Sequence, residues 1–327
     1  MSTTINVAKN SQAAIARLER LGAIVRKYGP AIALALMIVV ATLSSDRFLQ
    51  VQNLLNVLRQ ISIVGVLGLG MTFVIITAGI DLSVGAILSV VVVYGADAVQ
   101  TQGVFIGIVV ALGMGALLGL INGIGITLGK VQPFIMTLGM LAMAKGIALL
   151  YTQGTPIVIT NQTFLALGNG RVLGIPNPIL VFLSLVVVTW FVLRHTVFGR
   201  SVYAVGANEE AARLSGISVG RVKTTVYVIS GLMAGVAGVL YASQLGVGSP
   251  VSGDGYELAA IAATVVGGTS LFGGAGGVGG TFIGAALLGV LSNFLNLTGV
   301  SPYAQNLFRG ALIIAAALLQ RKSARGL

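Results

Sequence analysis

The chain contains no cysteine and only one histidine, His195. The first absence excludes disulfides, thiolate metal sites and cysteine nucleophiles, and the second excludes a multi-histidine metal centre within the chain. Charge is also scarce. Only 8% of the 327 residues are charged, against about 25% in a soluble domain. Hydrophobic residues make up 56%, and mean hydropathy is +0.99. A water-soluble globule must turn many of its residues to water and could not hide this much apolar side chain. A cytosolic globular enzyme is excluded. The composition is that of an integral membrane protein whose solvent is mostly lipid.

Acidic residues are the scarcer sign: 8 Asp and Glu against 19 Lys and Arg, for a net charge of +11. Such a balance can mark nucleic-acid binding. In a multi-span protein it is what basic cytoplasmic loops produce, so the expected partner is the bilayer and no nucleic acid is expected. Glycine, by contrast, is abundant at 46 residues. That suits helices whose backbones approach closely.

A membrane helix needs about 20 mostly apolar residues. The sequence predicts ten, near 30–44, 61–79, 82–97, 103–128, 133–151, 176–193, 224–242, 257–272, 277–297 and 304–320. The N-terminal region lacks the small-residue cleavage site of a signal peptide, so its apolar run is read as a retained span. Lys and Arg gather in three places: Lys9, Arg17, Arg20, Arg26 and Lys27; Arg194, Arg200, Arg213, Arg221 and Lys223; and Arg321, Lys322 and Arg325. All three should be cytoplasmic, and even numbers of spans separate them. The expected architecture is an all-α polytopic membrane bundle with Gly-rich broken or re-entrant segments and both termini cytoplasmic. It divides into a tail over 1–29, a transmembrane domain over 30–320 and a tail over 321–327. Within the domain, 194–223 forms a cytoplasmic loop, and the polar stretch 152–175 is an ordered or semi-ordered external one.

In the basic loop, Asn208 can cap a short helix running Glu209, Glu210, Ala211, Ala212, Arg213, Leu214, with Gly216 ending it. The two acids then sit where the helix dipole favours them. Elsewhere, Thr77 to Gly85 interrupts two apolar runs. Gly79 can stop one helix and Asp81 can cap the next, as in a tight surface turn. Alternatively the helix is broken at depth, and Asp81 and Ser83 line a pathway. Residues 267–280 form a second interruption. Its G-x-G-x-x-G match from Gly274 to Gly279 lacks the strand and βαβ setting of a nucleotide site, so close packing is expected instead. The two breaks, one in each half, hint at an internal repeat. Gly115, Gly119 and Gly123, Gly231 and Gly235, and Gly280 and Gly284 have the small-xxx-small spacing of tight helix packing. Asn122, Lys145, Glu257 and Arg309 are costly in lipid. Lys145 and Arg309 are read as snorkelling or paired, while Asn122 and Glu257 join Asp81 and Ser83 as substrate-pathway candidates. There is no Walker A motif, no H-E-x-x-H and no G-x-S-x-G, so no catalytic residue, metal or cofactor is expected.

Three long segments together resemble the ribose-type permeases of bacterial sugar ABC importers: Gly70 to Gly85, Gly199 to Ile217, and Gly255 to Leu271. The resemblance runs over about 30–320 and implies a permease that binds no ATP itself. A separate cytoplasmic ATPase would drive it, a periplasmic binding protein would deliver the sugar, and a second permease subunit would complete the pathway in the bacterial inner membrane. The substrate would be a pentose or hexose, and such proteins also carry the furanosyl signal autoinducer-2. Glu210-Ala211-Ala212-Arg213-Leu214-Ser215-Gly216 matches the E-A-A-x-x-x-G core by which importer permeases dock their ATPase. The apolar and proline end of the longer motif is missing. Glu209, Glu210, Ala211, Ala212, Arg213 and Gly216 are therefore the expected coupling residues. Read from the residues alone, a secondary transporter using Asp81 and Glu257 as ion-coupling carboxylates remains the alternative.

Overall fold

The structure is a computed structural model that describes residues 28–301 together with 304, 305, 307, 308, 310, 311, 314 and 318. Residues 1–27 of the N-terminal tail, the C-terminal tail and Arg309 lie outside the described residues. Helix α1 spans Tyr28–Ser44. It is followed by α2 (Val51–Ile76), α3 (Val84–Gln102), α4 (Val104–Thr127), α5 (Pro133–Thr152), α6 (Gln162–Asn169), α7 (Asn177–His195), α8 (Val197–Ala207), α9 (Glu209–Leu214), α10 (Val219–Leu245), α11 (Tyr256–Val266) and α12 (Val278–Leu297). Beyond Ser301 the described residues are helical again. Seven of these helices, α2, α3, α4, α5, α7, α10 and α12, are long and apolar enough to cross a membrane. The chain is therefore a multi-pass helical membrane protein.

Burial sorts the helices into layers. The apolar windows of α2 and α3 are 83% and 78% buried, whereas those of α4, α5 and α7 are 28%, 22% and 28% buried. The first two form the core of the bundle, and the other three turn most of their side chains outward. Helix α10 holds α4 against that core. Gly115 meets Gly231, Gly119 meets Tyr227, and Gly123 meets Thr224, all backbone to backbone. The three glycines lie on one face of α4 because they recur every four residues. Gly280 and Gly284 do the same for α12, against Gly267 and Ala263 of the α11 end. The small-xxx-small spacing is thus packing in all three places.

Two predicted spans differ from the helices found. The second was expected from residue 61, but α2 begins ten residues earlier, at Val51. A hydropathy reading skips that stretch because it holds Gln52, Asn53, Asn56, Arg59 and Gln60. Asn53 secures it by exchanging hydrogen bonds with Asn293 of α12 at 3.0 and 2.7 Å. The eighth was expected over 257–272, but α11 ends at Val266 and has only 11 residues. At 1.5 Å per residue that is ~16 Å, about half of a ~30 Å hydrocarbon core. The residues before α11 run down the side of α3, where Gly248 lies against Val92 and Ala96 and Gly253 against Gly85 and Ser89.

The polar stretch 152–175 is ordered. Ile157–Val158 (β1) pairs antiparallel with Val247–Gly248 (β4), Arg171–Val172 (β2) pairs with Ile175–Pro176 (β3), and Asn161 caps α6 by accepting from Phe164 N at 3.1 Å. The 194–223 stretch contains α8 as well as the expected short helix α9, and its last residues already belong to α10.

Candidate functional site

The break between α2 and α3 is closed before it is functional. Ala78 N donates to Ile75 O at 2.9 Å and Gly79 N to Val74 O at 3.0 Å, the paired bonds of a Schellman motif. The left-handed residue of that motif is Ala78, at φ 59°. Gly79, the expected helix stop, takes the next position. Ile76 O, left free by the helix end, accepts from Gly274 N at 2.9 Å. The carbonyls of the last turn are therefore satisfied without water, as burial in a bilayer protein requires.

Asp81 does not cap α3. The residue at the cap is Ser83, and the Asp81 carboxylate gathers donors instead. Its Oδ1 accepts from Ser83 N at 3.0 Å and Ser83 Oγ at 2.6 Å, and its Oδ2 accepts from Ser230 Oγ of α10 at 2.8 Å. Asn122 Nδ2, on α4, donates to Ser83 Oγ at 2.8 Å. Thr137 Oγ1, on α5, donates to Ile80 O at 3.1 Å. Asp81, Ser83 and Asn122 have no exposed surface. Three of the four pathway residues expected from the sequence thus meet in one sealed network joining α3, α4 and α10. Two buried atoms beside it, Asn122 Oδ1 and Tyr227 OH, have no hydrogen-bond partner within the described residues. Sequence reading missed Ser230, Tyr227 and Thr137. Their only signal was a polar atom within an apolar run.

Glu257 is not hydrogen-bonded into this network. It is half-buried in the first turn of α11, with a carboxylate oxygen close against Gly85, two residues past Ser83. Lys145 is paired, as one of its expected readings held: its Nζ lies 2.9 and 3.0 Å from the two carboxylate oxygens of Asp254. His195 sits exposed at the end of α7 against the rings of Trp190 and Phe191.

The short helix α9 has the expected ends. Asn208 Oδ1 accepts from Ala211 N at 2.9 Å. Gly216, at φ 84°, closes the C-terminus with bonds from Gly216 N to Arg213 O and Ile217 N to Ala212 O, both 3.0 Å. Glu210 pairs with Arg213 along the helix, and this carboxylate holds the Arg213 guanidinium above its usual range. Glu209 pairs with Lys223 of α10. Ala212 faces inward and is buried, whereas Leu214 is 81% exposed. Helix α8, before it, carries Gly206 against the Ile76 carbonyl and the backbone at Gly274. Tyr203 OH donates to Gly276 O at 2.9 Å. The two sequence breaks and the basic loop therefore converge on one junction. The G-x-G-x-x-G match belongs to it and follows helix α11 rather than a strand.

Comparison with known proteins fits this architecture. A family model described as "Branched-chain amino acid transport system / permease component" matches residues 53–317. Ribose import permease protein RbsC of Bacillus subtilis is 44% identical over 308 residues, covering 91% of this chain and 94% of that protein. The Escherichia coli K12 protein of the same name is 42% identical over 299 residues, covering 89% and 92%. D-allose transport system permease protein AlsC of Escherichia coli K12 is 37% identical over 306 residues, covering 90% and 91%. No solved structure matches. A transport subunit of this kind works with an ATPase and a periplasmic binding protein rather than as a catalyst. The chain belongs to this permease family, as a ribose-type membrane permease subunit of an ABC sugar importer.

Proposed function

We propose that this permease imports a pentose, D-ribose first among candidates, across the bacterial inner membrane, and that it works as a homodimer. The ribose import permeases among its relatives support the pentose, and the D-allose permease supports the wider class of neutral monosaccharides. In this reading the chain crosses the bilayer ten times with both termini cytoplasmic. The eighth crossing is discontinuous: residues 247–255 cover the outer half and α11 the inner half. The basic residues of the 194–223 loop support that orientation.

Helix α9 is the ATPase contact, with Glu209, Glu210, Ala211 and Arg213 on its outer surface and exposed Leu214 as an apolar anchor. Ala212 and Gly216 hold it in place. The observation that carries this reading is the junction of α8 with the α2 end and the 267–277 loop. A push on α9 reaches Ile76, and Asp81 is five residues further along the chain. The Asp81–Ser83–Asn122 network then acts as the closed inner seal of the pathway, with Glu257 beside it. When the α2–α3 joint opens, Asn122 Oδ1 and Tyr227 OH are free to meet a sugar hydroxyl.

The test is reconstitution of the permease with its ATPase and binding protein in liposomes. Ala212→Asp, which buries a carboxylate under α9, and Gly216→Val, which puts a β-branched residue at positive φ, should each cut ribose uptake at least tenfold while the ATPase still hydrolyses ATP. Uptake at the unmodified rate in both would remove α9 from the coupling role.

A further inference from the structure

The exposed face of α2 carries a feature that the Asp81 network does not explain. Gln52, Asn56 and Gln60 recur every four residues and so lie on one stripe. All three are exposed. Gln52 Nε2 donates to Asn56 Oδ1 at 3.2 Å. Only about 24 Å of helix separates Gln60 from Ile76, less than the ~30 Å hydrocarbon thickness, so this amide lies at membrane depth. Exposed to lipid it would be costly.

The stripe ends in a cleft of about 110 Å³, partly open to the outside, between α2, the start of α11 and α12. Gln60, Asp254, Tyr256 and Ser292 are its polar lining, and Ile61 and Leu288 are among its apolar lining. Its chemistry is neutral overall, because the Asp254 carboxylate is matched by Lys145 at 2.9 Å. Each amide offers two donors and an acceptor, which is what a polyhydroxylated, uncharged ligand needs. The Tyr256 ring, held edge-on by Tyr241 at 5.9 Å, supplies an apolar face for a sugar's C–H side.

We propose that the Gln52–Asn56–Gln60 stripe and the cleft lined by Gln60, Asp254, Tyr256 and Ser292 form the outer entry site through which a neutral monosaccharide passes from its delivery protein. This rests on the sugar-import reading above. It adds an outer recognition site on α2, α11 and α12, met before the Asp81 network.

The absence of cysteine makes a clean test possible. In the liposome-reconstituted complex, Asn56→Cys and Gln60→Cys are each treated with a membrane-impermeant thiol reagent on the delivery-protein side. Both positions should label, with loss of more than nine-tenths of radiolabelled ribose uptake. Added ribose with the delivery protein should slow labelling several-fold, and the cysteine-free parent should be unaffected. As a second variant, Gln60→Leu should raise the apparent KM for ribose at least tenfold, and Gln60→Asn should restore much of it. Unreactive positions, or labelling without loss of uptake, would overturn the assignment. So would crosslinking of Asn56→Cys between two copies with uptake intact, which would make the stripe a subunit seam. If the unmodified complex moves leucine and none of ribose, allose or arabinose, the sugar-import reading itself fails.

Discussion

Asp81 shows how a single buried side chain is held in a membrane protein. Its two carboxylate oxygens take three hydrogen bonds, from Ser83 and Ser230. Removing it orphans buried donors, and each orphan costs about 1–3 kcal/mol. Asp81→Leu should therefore lower the melting midpoint of the detergent-purified permease clearly, and Asp81→Asn, which keeps one carbonyl acceptor, should lower it less. Melting of Asp81→Leu at the midpoint of the unmodified permease would mean the network carries no stability. Ala78 offers the opposite case. A non-glycine residue in the left-handed region costs roughly 1–2 kcal/mol, so Ala78→Gly should raise the same midpoint, less whatever the lost methyl contact with Gly273 contributes. Asp81 and Ser83 were legible as a polar break because they are neighbours in sequence. Ser230 was not, since it lies 149 positions from Asp81 and only the packing of α10 brings it there.

Among the elements, α2 and α11 end in the same way. Gly268 N donates to Val265 O at 3.0 Å and Thr269 N to Thr264 O at 3.1 Å, repeating at α11 the paired bonds made by Ala78 and Gly79. This likeness is the structural counterpart of the two breaks seen in sequence. Helix α9 was legible to the residue because its cap and its terminating glycine are local signals. The early end of α11 was not, because hydropathy stays high through Val266 while the backbone turns at Gly268. The glycine stripe of α4 was legible as spacing, but its partners on α10 were not. That contact makes a further prediction. At Gly119 a Cβ would collide with the Tyr227 carbonyl, so Gly119→Val should force α4 from α10 at a cost of about 1–3 kcal/mol. Gly113, whose Cβ would meet nothing within 4 Å, should accept alanine with an unchanged melting midpoint.

For the whole molecule, the proposed ten crossings place 152–175 outside and 194–223 inside. Single cysteines at Thr155 and Ser215 should label with an impermeant reagent from opposite faces of intact cells and inverted vesicles, respectively. Labelling of both from one face would break the topology. The membrane class and the multi-span bundle were fully legible in composition, because lipid leaves few other ways to satisfy so apolar a chain. The junction of α8 with both breaks was not, since it depends on Gly206, Ile76 and Gly274 meeting across the fold. That junction has a mechanical consequence. Main chain bears directly on main chain there, Gly206 against the Ile76 carbonyl and the backbone at Gly274. A close-packed contact of this kind transmits strain, so in the proposed coupling role it would behave like a gear without backlash, passing a small stroke from α9 to the foot of α2.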